Sequence, residues 1–126
     1  MTVHLDTSFL VDALTGPKKS GPRLRSLTAE GTVVRISSPV VFEWLRGPRT
    51  SNDLADYSQL FPPDRIVAVD GFMAEKAASI YRGIRSPRSR EMDILIGACA
   101  IESQATLATL NPGDFQDIPG LELLPV

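Results

Sequence analysis

Thr2-Val3-His4-Leu5-Asp6-Thr7-Ser8-Phe9-Leu10-Val11-Asp12-Ala13-Leu14, residues 2–14, joins a short strand-like run to an apolar helical one, with an aspartate at the joint. Its composition predicts a strand over 2–6 and a helix over 7–14, stopped by Thr15-Gly16-Pro17. An Asp after a strand commonly caps the helix that follows. Thr7 and Ser8 are equally able to cap, which would leave Asp6 free to face the space beyond the strand. Asp12, six residues on, falls nearly opposite Asp6 on the helix and reads as a surface residue.

The same rhythm runs outward from this joint. A helix over 22–30 ends at Gly31, and β-branched residues mark a strand over 33–36. Ser38-Pro39 supplies an N-cap and a proline at the first helical position of a helix closed by Gly47-Pro48. A helix over 51–60 is broken by Pro62-Pro63, a strand covers 65–69, and a helix over 71–85 is interrupted at Ser86-Pro87. A helix over 90–104, a strand over 106–110, a turn through Asn111-Pro112-Gly113 and a last strand over 121–124 complete the chain. This alternation predicts an α/β fold with a largely parallel sheet covered on both faces. At 126 residues, it is expected to be one domain, 1–126. In such sheets the ligand crevice lies beyond the carboxyl ends of the strands. Asp6 and Asn111 both fall there.

Other acidic and amide positions recur at comparable places. Glu43 is set among Val40, Val41, Phe42, Trp44 and Leu45, so its helix reads as apolar almost all round and buried. A carboxylate in that setting is driven neutral unless a cation or strong donors stand nearby. A structural ion pair with Arg46 or Arg35 is the competing reading. Asp93 lies in the first turn of an apolar helix, where the helix dipole favours an acid. Asn111 and Asp114 follow the strand over 106–110 in a turn whose composition is natural without any function. Buried carboxylates gather only if something positive joins them. A hard divalent cation with oxygen ligands, Mg²⁺ or Mn²⁺, is the natural candidate.

Composition removes several alternatives. Cys99 is the only cysteine, so a disulfide framework and a thiolate zinc cluster are both excluded, and Cys99 reads as an inert core residue. His4, the only histidine, reads as a packing or flanking residue of the first strand, which leaves no histidine-based zinc or haem site. No apolar run approaches the roughly 20 residues needed to cross a bilayer. With no leader-like N-terminus either, the chain is expected to be cytoplasmic, with no membrane partner. The net charge of −2 conceals segregation: Arg82, Arg85, Arg88 and Arg90 crowd just before Asp93, whereas no Lys or Arg occurs from Glu91 onward. A basic surface beside an acidic cleft suits a phosphate backbone held near bound metal, although such an arginine cluster is often only a solvated face.

Together these stretches resemble the PIN-domain family, specifically its small VapC-type endoribonuclease toxins, over essentially the whole chain. Leu5-Asp6-Thr7-Ser8-Phe9-Leu10-Val11-Asp12 matches the first motif, and Ser38 through Glu43 to Gly47 matches the second. Arg90-Glu91-Met92-Asp93-Ile94-Leu95-Ile96-Gly97-Ala98 matches the third, and Thr109-Leu110-Asn111-Pro112-Gly113-Asp114-Phe115 the last. The resemblance implies an α/β/α sandwich with a central, mainly parallel sheet of four to five strands. It implies Mg²⁺- or Mn²⁺-dependent hydrolysis of RNA by an acidic site of Asp6, Glu43 and Asp93 as metal ligands, with Asp114 also catalytic. Ser8 stands as a supporting residue, and either Asn111 or Asp114 fills the fourth position. Arg46, Arg85, Arg88 and Arg90 are candidates for the RNA backbone.

The resemblance further implies a cognate antitoxin and a homodimer formed through helices of the N-terminal half. Phe42, Trp44, Leu54, Tyr57 and Leu60 are candidate groove or interface residues, with core packing the equally common alternative. A catalytically inactive PIN-like RNA-binding module is the alternative. An aspartyl phosphatase or a receiver domain fits less well. Ser8 occupies the place of the phosphatase's second Asp, and the C-terminal third lacks the receiver's lysine.

Overall fold

The computed structural model describes residues 1–125. In chain order the elements are β1 (Thr2–Leu5), α1 (Thr7–Leu14), α2 (Gly21–Ala29), β2 (Val33–Ser37), α3 (Ser38–Arg46) and α4 (Ser51–Leu60). They continue as β3 (Ile66–Val67), α5 (Gly71–Gly83), α6 (Glu91–Glu102) and β4 (Thr106–Ala108), with 3-10 turns at Pro63–Arg65 and Pro112–Asp114. The strands form one parallel sheet in the order β3-β2-β1-β4, with Val3 facing Val34 on one side and Thr106 on the other.

That order places a topological switch at the centre of the sheet. From β1 the chain steps outward to β2 and β3 and then returns to lay β4 on the opposite side of β1. Right-handed crossovers therefore put α1–α4 on one face and α5–α6 on the other. The packing agrees: α1 contacts α2, α3 and α4, while α5 lies along α6. Val3, His4 and Leu5 are all buried, as a strand covered on both sides requires. The crevice at such a switch point opens beyond the carboxyl ends of β1 and β4, where the chain has Asp6 and Thr109.

Several boundaries differ from expectation for identifiable reasons. The strand expected over 65–69 shrinks to Ile66–Val67, because Arg65 closes a 3-10 turn with Pro62 and the Val69 N–H donates to Ser38 Oγ at 3.1 Å. Ser38 is therefore a helical residue rather than the N-cap, which is Ser37. The last strand reduces to a single parallel bridge, Leu107 to Leu123, held by hydrogen bonds of 2.9 and 2.8 Å from the Leu107 and Leu124 amides. Nor is α3 apolar all round in its surroundings: it buries Pro39, Val40 and Trp44 but leaves Phe42 54% and Leu45 53% exposed. Asp12 is not a free surface residue. It accepts from the backbone N–H and hydroxyl of Ser20 at 2.7 and 2.6 Å, tying the loop between α1 and α2.

His4 faces Arg35 across the β1–β2 ladder, and neither of its ring nitrogens has a hydrogen-bond partner. Burial, then the Arg35 charge, lowers its pKa to about 4. The unfolded chain takes up this proton near pH 6.5, whereas the folded chain resists it. His4 therefore costs no stability above pH 6.5 and a growing amount as pH falls from there to about 4. Replacing it with Leu is expected to flatten that slope, which approaches 1.4 kcal/mol per pH unit (roughly, from linkage). Urea midpoints across the range measure it, and parallel slopes for the two proteins would show that His4 is not the titrating group.

Candidate active site

The peptide after β1 continues the ladder, since Asp6 N–H donates to the Ala108 carbonyl at 3.0 Å. This fixes the backbone from which the Asp6 side chain departs. Its Oδ1 accepts from Phe9 N–H at 2.9 Å and from the Ser8 hydroxyl at 2.8 Å, and its Oδ2 accepts from the Thr109 hydroxyl at 2.5 Å. Asp6 is thus the N-cap of α1 as well as a buried acid at the crevice; Thr7 and Ser8 did not take the cap from it. Burial raises its pKa, the Thr109, Phe9 and Ser8 donors oppose that rise, and the charge of Glu43 adds to it. Ser8 Oγ accepts in turn from Leu110 N–H at 3.2 Å, and Thr109 Oγ1 from Asn111 N–H at 2.9 Å. The two hydroxyls therefore bind the ends of β1 and β4 around one carboxylate.

Glu43 reaches the same region from α3. Its Oε1 accepts from the Thr7 hydroxyl at 2.5 Å, while its Oε2 meets Arg46 only at 3.4 Å. With Glu43 side-chain exposure at 17% against 59% for Arg46, the carboxylate faces inward and the guanidinium outward. The expected Arg46 pairing is present but long, and Arg35 lies on β2 opposite His4.

Asp93 reports the convergence most directly. Half-buried in the first turn of α6, it has its pKa pushed up to about 6. Burial contributes most, followed by the charges of Asp114, Glu43 and Asp6, against a partial offset from Arg90. Carboxyl groups from three other stretches, at the start of α1, on α3 and in the turn after β4, therefore lie close enough to Asp93 to raise its pKa. Among the described residues, no three His, Cys, Asp or Glu side chains form a ready-made metal cluster. The donor set these residues offer is entirely oxygen, carboxylates supported by hydroxyls, which fits a hard cation such as Mg²⁺ or Mn²⁺ and not a soft metal.

The remaining candidates separate. Asn111 is exposed, its backbone N–H turned to Thr109, whereas Asp114 acts on Asp93. Arg85 and Arg88 are exposed. Arg90 does not present a free fork: its two terminal nitrogens bind Asp117 at 2.9 and 2.6 Å. Cys99 is buried, and burial raises its thiol pKa to about 11, consistent with an inert residue. Of the expected groove residues, Trp44 and Tyr57 are core, stacked at 5.7 Å, while Phe42 and Leu54 are exposed. Thr7 and Thr109 were not expected at the site. Thr109 lies just past the last residue of β4, and its signal in the sequence was its place at the head of the last motif.

No helix of the described chain is long and apolar enough to cross a membrane. The chain is 32% identical over 125 residues to Ribonuclease VapC19 of Mycobacterium tuberculosis, covering 94% of this chain and 95% of that protein. Its fold superposes on VapBC2 from Rickettsia felis bound to a promoter DNA fragment, with TM-score 0.75, 23% identity and 98% of each chain covered. It also superposes on FitAcB from Neisseria gonorrhoeae, with TM-score 0.71, 22% identity, and 98% of this chain and 97% of that one covered. The PIN domain model matches residues 3–121, a span holding both the parallel sheet and all four converging acids, and the chain belongs to the PIN-domain family.

Proposed function

We propose that this chain is a divalent-metal-dependent endoribonuclease, with Asp6, Glu43, Asp93 and Asp114 as its catalytic acids. The observation that carries the reading is that Asp93 is held half-buried under the combined charge of the other three. Mg²⁺ or Mn²⁺ held by Asp6, Asp93 and Glu43 would supply Lewis-acid chemistry, an activated water and neutralisation of charge on the phosphate.

The protein's part is to hold the acids in place. Three donors fix both oxygens of Asp6, and the Thr7 hydroxyl fixes one oxygen of Glu43, leaving its second toward Arg46. Asp114 fits the fourth position better than Asn111, since its charge acts on Asp93. Exposed Arg46, Arg85 and Arg88 offer guanidinium groups to an RNA backbone without selecting its sequence.

Removing the Thr109 donor tests this support. Thr109→Val keeps the shape but removes the donor to Asp6 Oδ2 and the acceptor of Asn111 N–H, and is expected to lower cleavage roughly 10–100-fold at a stability cost of about 1–3 kcal/mol. Unchanged cleavage would remove Thr109 from the site.

The similarity to toxin–antitoxin complexes supports a further reading, that the chain is the toxin of such a pair and has an antitoxin partner. Phe42 and Leu45 on α3 and Leu54 on α4 provide exposed apolar surface for the antitoxin or for a homodimer built through the N-terminal helices. The deciding experiment incubates total cellular RNA with purified protein across a Mn²⁺ or Mg²⁺ titration and maps product ends. Internal cleavage that rises with metal and stops in EDTA is expected. RNA binding without turnover would instead identify an inactive binding module.

A further inference from the structure

We propose that Arg90 is a positioning residue for Asp114, clamping the turn after β4 onto the start of α6 through a fork shared with Asp117, and that it is not a phosphate contact. The inference rests on the nuclease reading above. Arg90 is the N-cap residue of α6, and its carbonyl accepts from Ile94 N–H at 2.9 Å, so its backbone moves with the helix that carries Asp93. Its guanidinium crosses to a segment 24–27 residues further along the chain. There it donates to both carboxylate oxygens of Asp117, at 2.6 and 2.9 Å, and to the backbone carbonyl of Asp114 at 3.0 Å. A further, longer contact of 3.4 Å reaches the Arg85 carbonyl.

This bidentate geometry gives orientation as well as attraction, in contrast to a loose surface pair. Phe115 and Ile118, at 1% and 3% exposure, root the segment in the core. Those anchors fix its depth, and the fork adds a direct tether between Asp114's own peptide and α6. Asp93 lies in the first turn of the helix that Arg90 caps, so the tether joins the segment bearing Asp114 to the helix bearing Asp93. With both terminal nitrogens occupied, Arg90 has no open fork for a phosphate.

The experiment uses the full chain and Mn²⁺ alone as the probe, with binding followed by calorimetry for wild type, D117N, D114N and the double variant. Cleavage KM and its salt dependence are measured in parallel. D117N is expected to weaken Mn²⁺ binding about 10-fold, the scale typical of groups that orient ligands. D114N/D117N is expected to bind no more weakly than D114N, because Asp117 acts only through Asp114. R90K, which keeps the charge but not the fork, is expected to show the same loss as D117N, with RNA KM and salt dependence unchanged. It also serves as the second variant should D117N fold poorly. Hydrogen exchange across 110–117 is expected to quicken in D117N while the sheet stays protected.

Multiplying losses in the double variant, or unaltered Mn²⁺ binding with tighter RNA binding in D117N, would overturn the proposal and return Arg90 to the RNA. A wild-type chain that binds no Mn²⁺ would bring down the nuclease reading and this inference together. A wild type that binds and cleaves while D117N matches it would bring down the inference alone.

Discussion

Asp93→Asn is expected to reduce metal-dependent RNA cleavage by at least roughly 10²–10³-fold, the scale of removing one preorganised electrostatic group, while the protein stays folded. The substitution is nearly isosteric and lies in the first turn of α6, so packing around Ile94 and Ile96 is undisturbed. It removes a charge that the fold already disfavours: burial and three neighbouring acids raise the Asp93 pKa to about 6. In EDTA near neutral pH the variant is therefore expected to be at least as stable as wild type, with lower activity despite its stability. Asp6→Asn is expected to behave alike in cleavage, since an amide oxygen can still cap α1 through Phe9 N–H. Asp6→Ala would lose the cap and strand the Thr109 and Ser8 hydroxyls, so it is the poorer test. Rates of RNA cleavage at saturating Mn²⁺, paired with thermal midpoints in EDTA, measure both effects. Cleavage by Asp93→Asn within a few-fold of wild type would remove it from the catalytic set.

Trp44→Ala is expected to cost about 3–5 kcal/mol, the largest stability loss of the substitutions considered. Domains of this size have only about 5–15 kcal/mol in total. Trp44 is fully buried one residue from Glu43, its ring stacked on Tyr57 at 5.7 Å and capped by the Arg49 guanidinium at 4.1 Å. The Arg49 Nε–H also donates to the Trp44 carbonyl at 2.9 Å, so the same arginine holds both the ring and the backbone of the residue. Emptying this position removes the anchor that sets the azimuth of α3, and activity is expected to fall along with stability because Glu43 rides on that helix. Trp44→Phe should cost less, since it keeps an aromatic ring and removes an indole N–H that has no partner. Urea unfolding of the two variants measures the difference. A Trp44→Ala loss below about 1 kcal/mol would mean that α3 is held elsewhere.

The joint at residues 2–14 was legible because strand propensity, helix periodicity and a capping acid agree there over a short stretch. The helix over 51–60 was equally plain from the Pro62-Pro63 break after it, and the structure closes its start with a capping box of Thr50 and Asp53. The candidate acids could be named for a similar reason, each sitting where a strand or apolar helix turns. What could not be read was what crosses the fold. The loss of most of β3 follows from Ser38 taking the Val69 amide, 31 residues away. The pairing of Arg90 with Asp117 spans 27 residues, and local charge spacing made Arg90 look like part of a free basic face. Periodicity also failed on α3, where a run of apolar residues does not separate Phe42 and Leu45, which face outward, from Trp44, which faces in. The sequence leaves Asp6 as either cap or site residue; in the structure its Oδ1 caps α1 while its Oδ2 accepts from Thr109 at the end of β4.

The most direct measurement is an anomalous difference map from crystals grown with Mn²⁺. A peak within ligand distance of both Asp6 and Asp93, about 2.0–2.3 Å for small hard cations, is the expected result, with Glu43 or Asp114 in the same coordination sphere or joined to it through water. Mn²⁺ peaks only elsewhere on the chain, with Asp6 and Asp93 each hydrogen-bonded to separate solvent, would contradict a shared metal site.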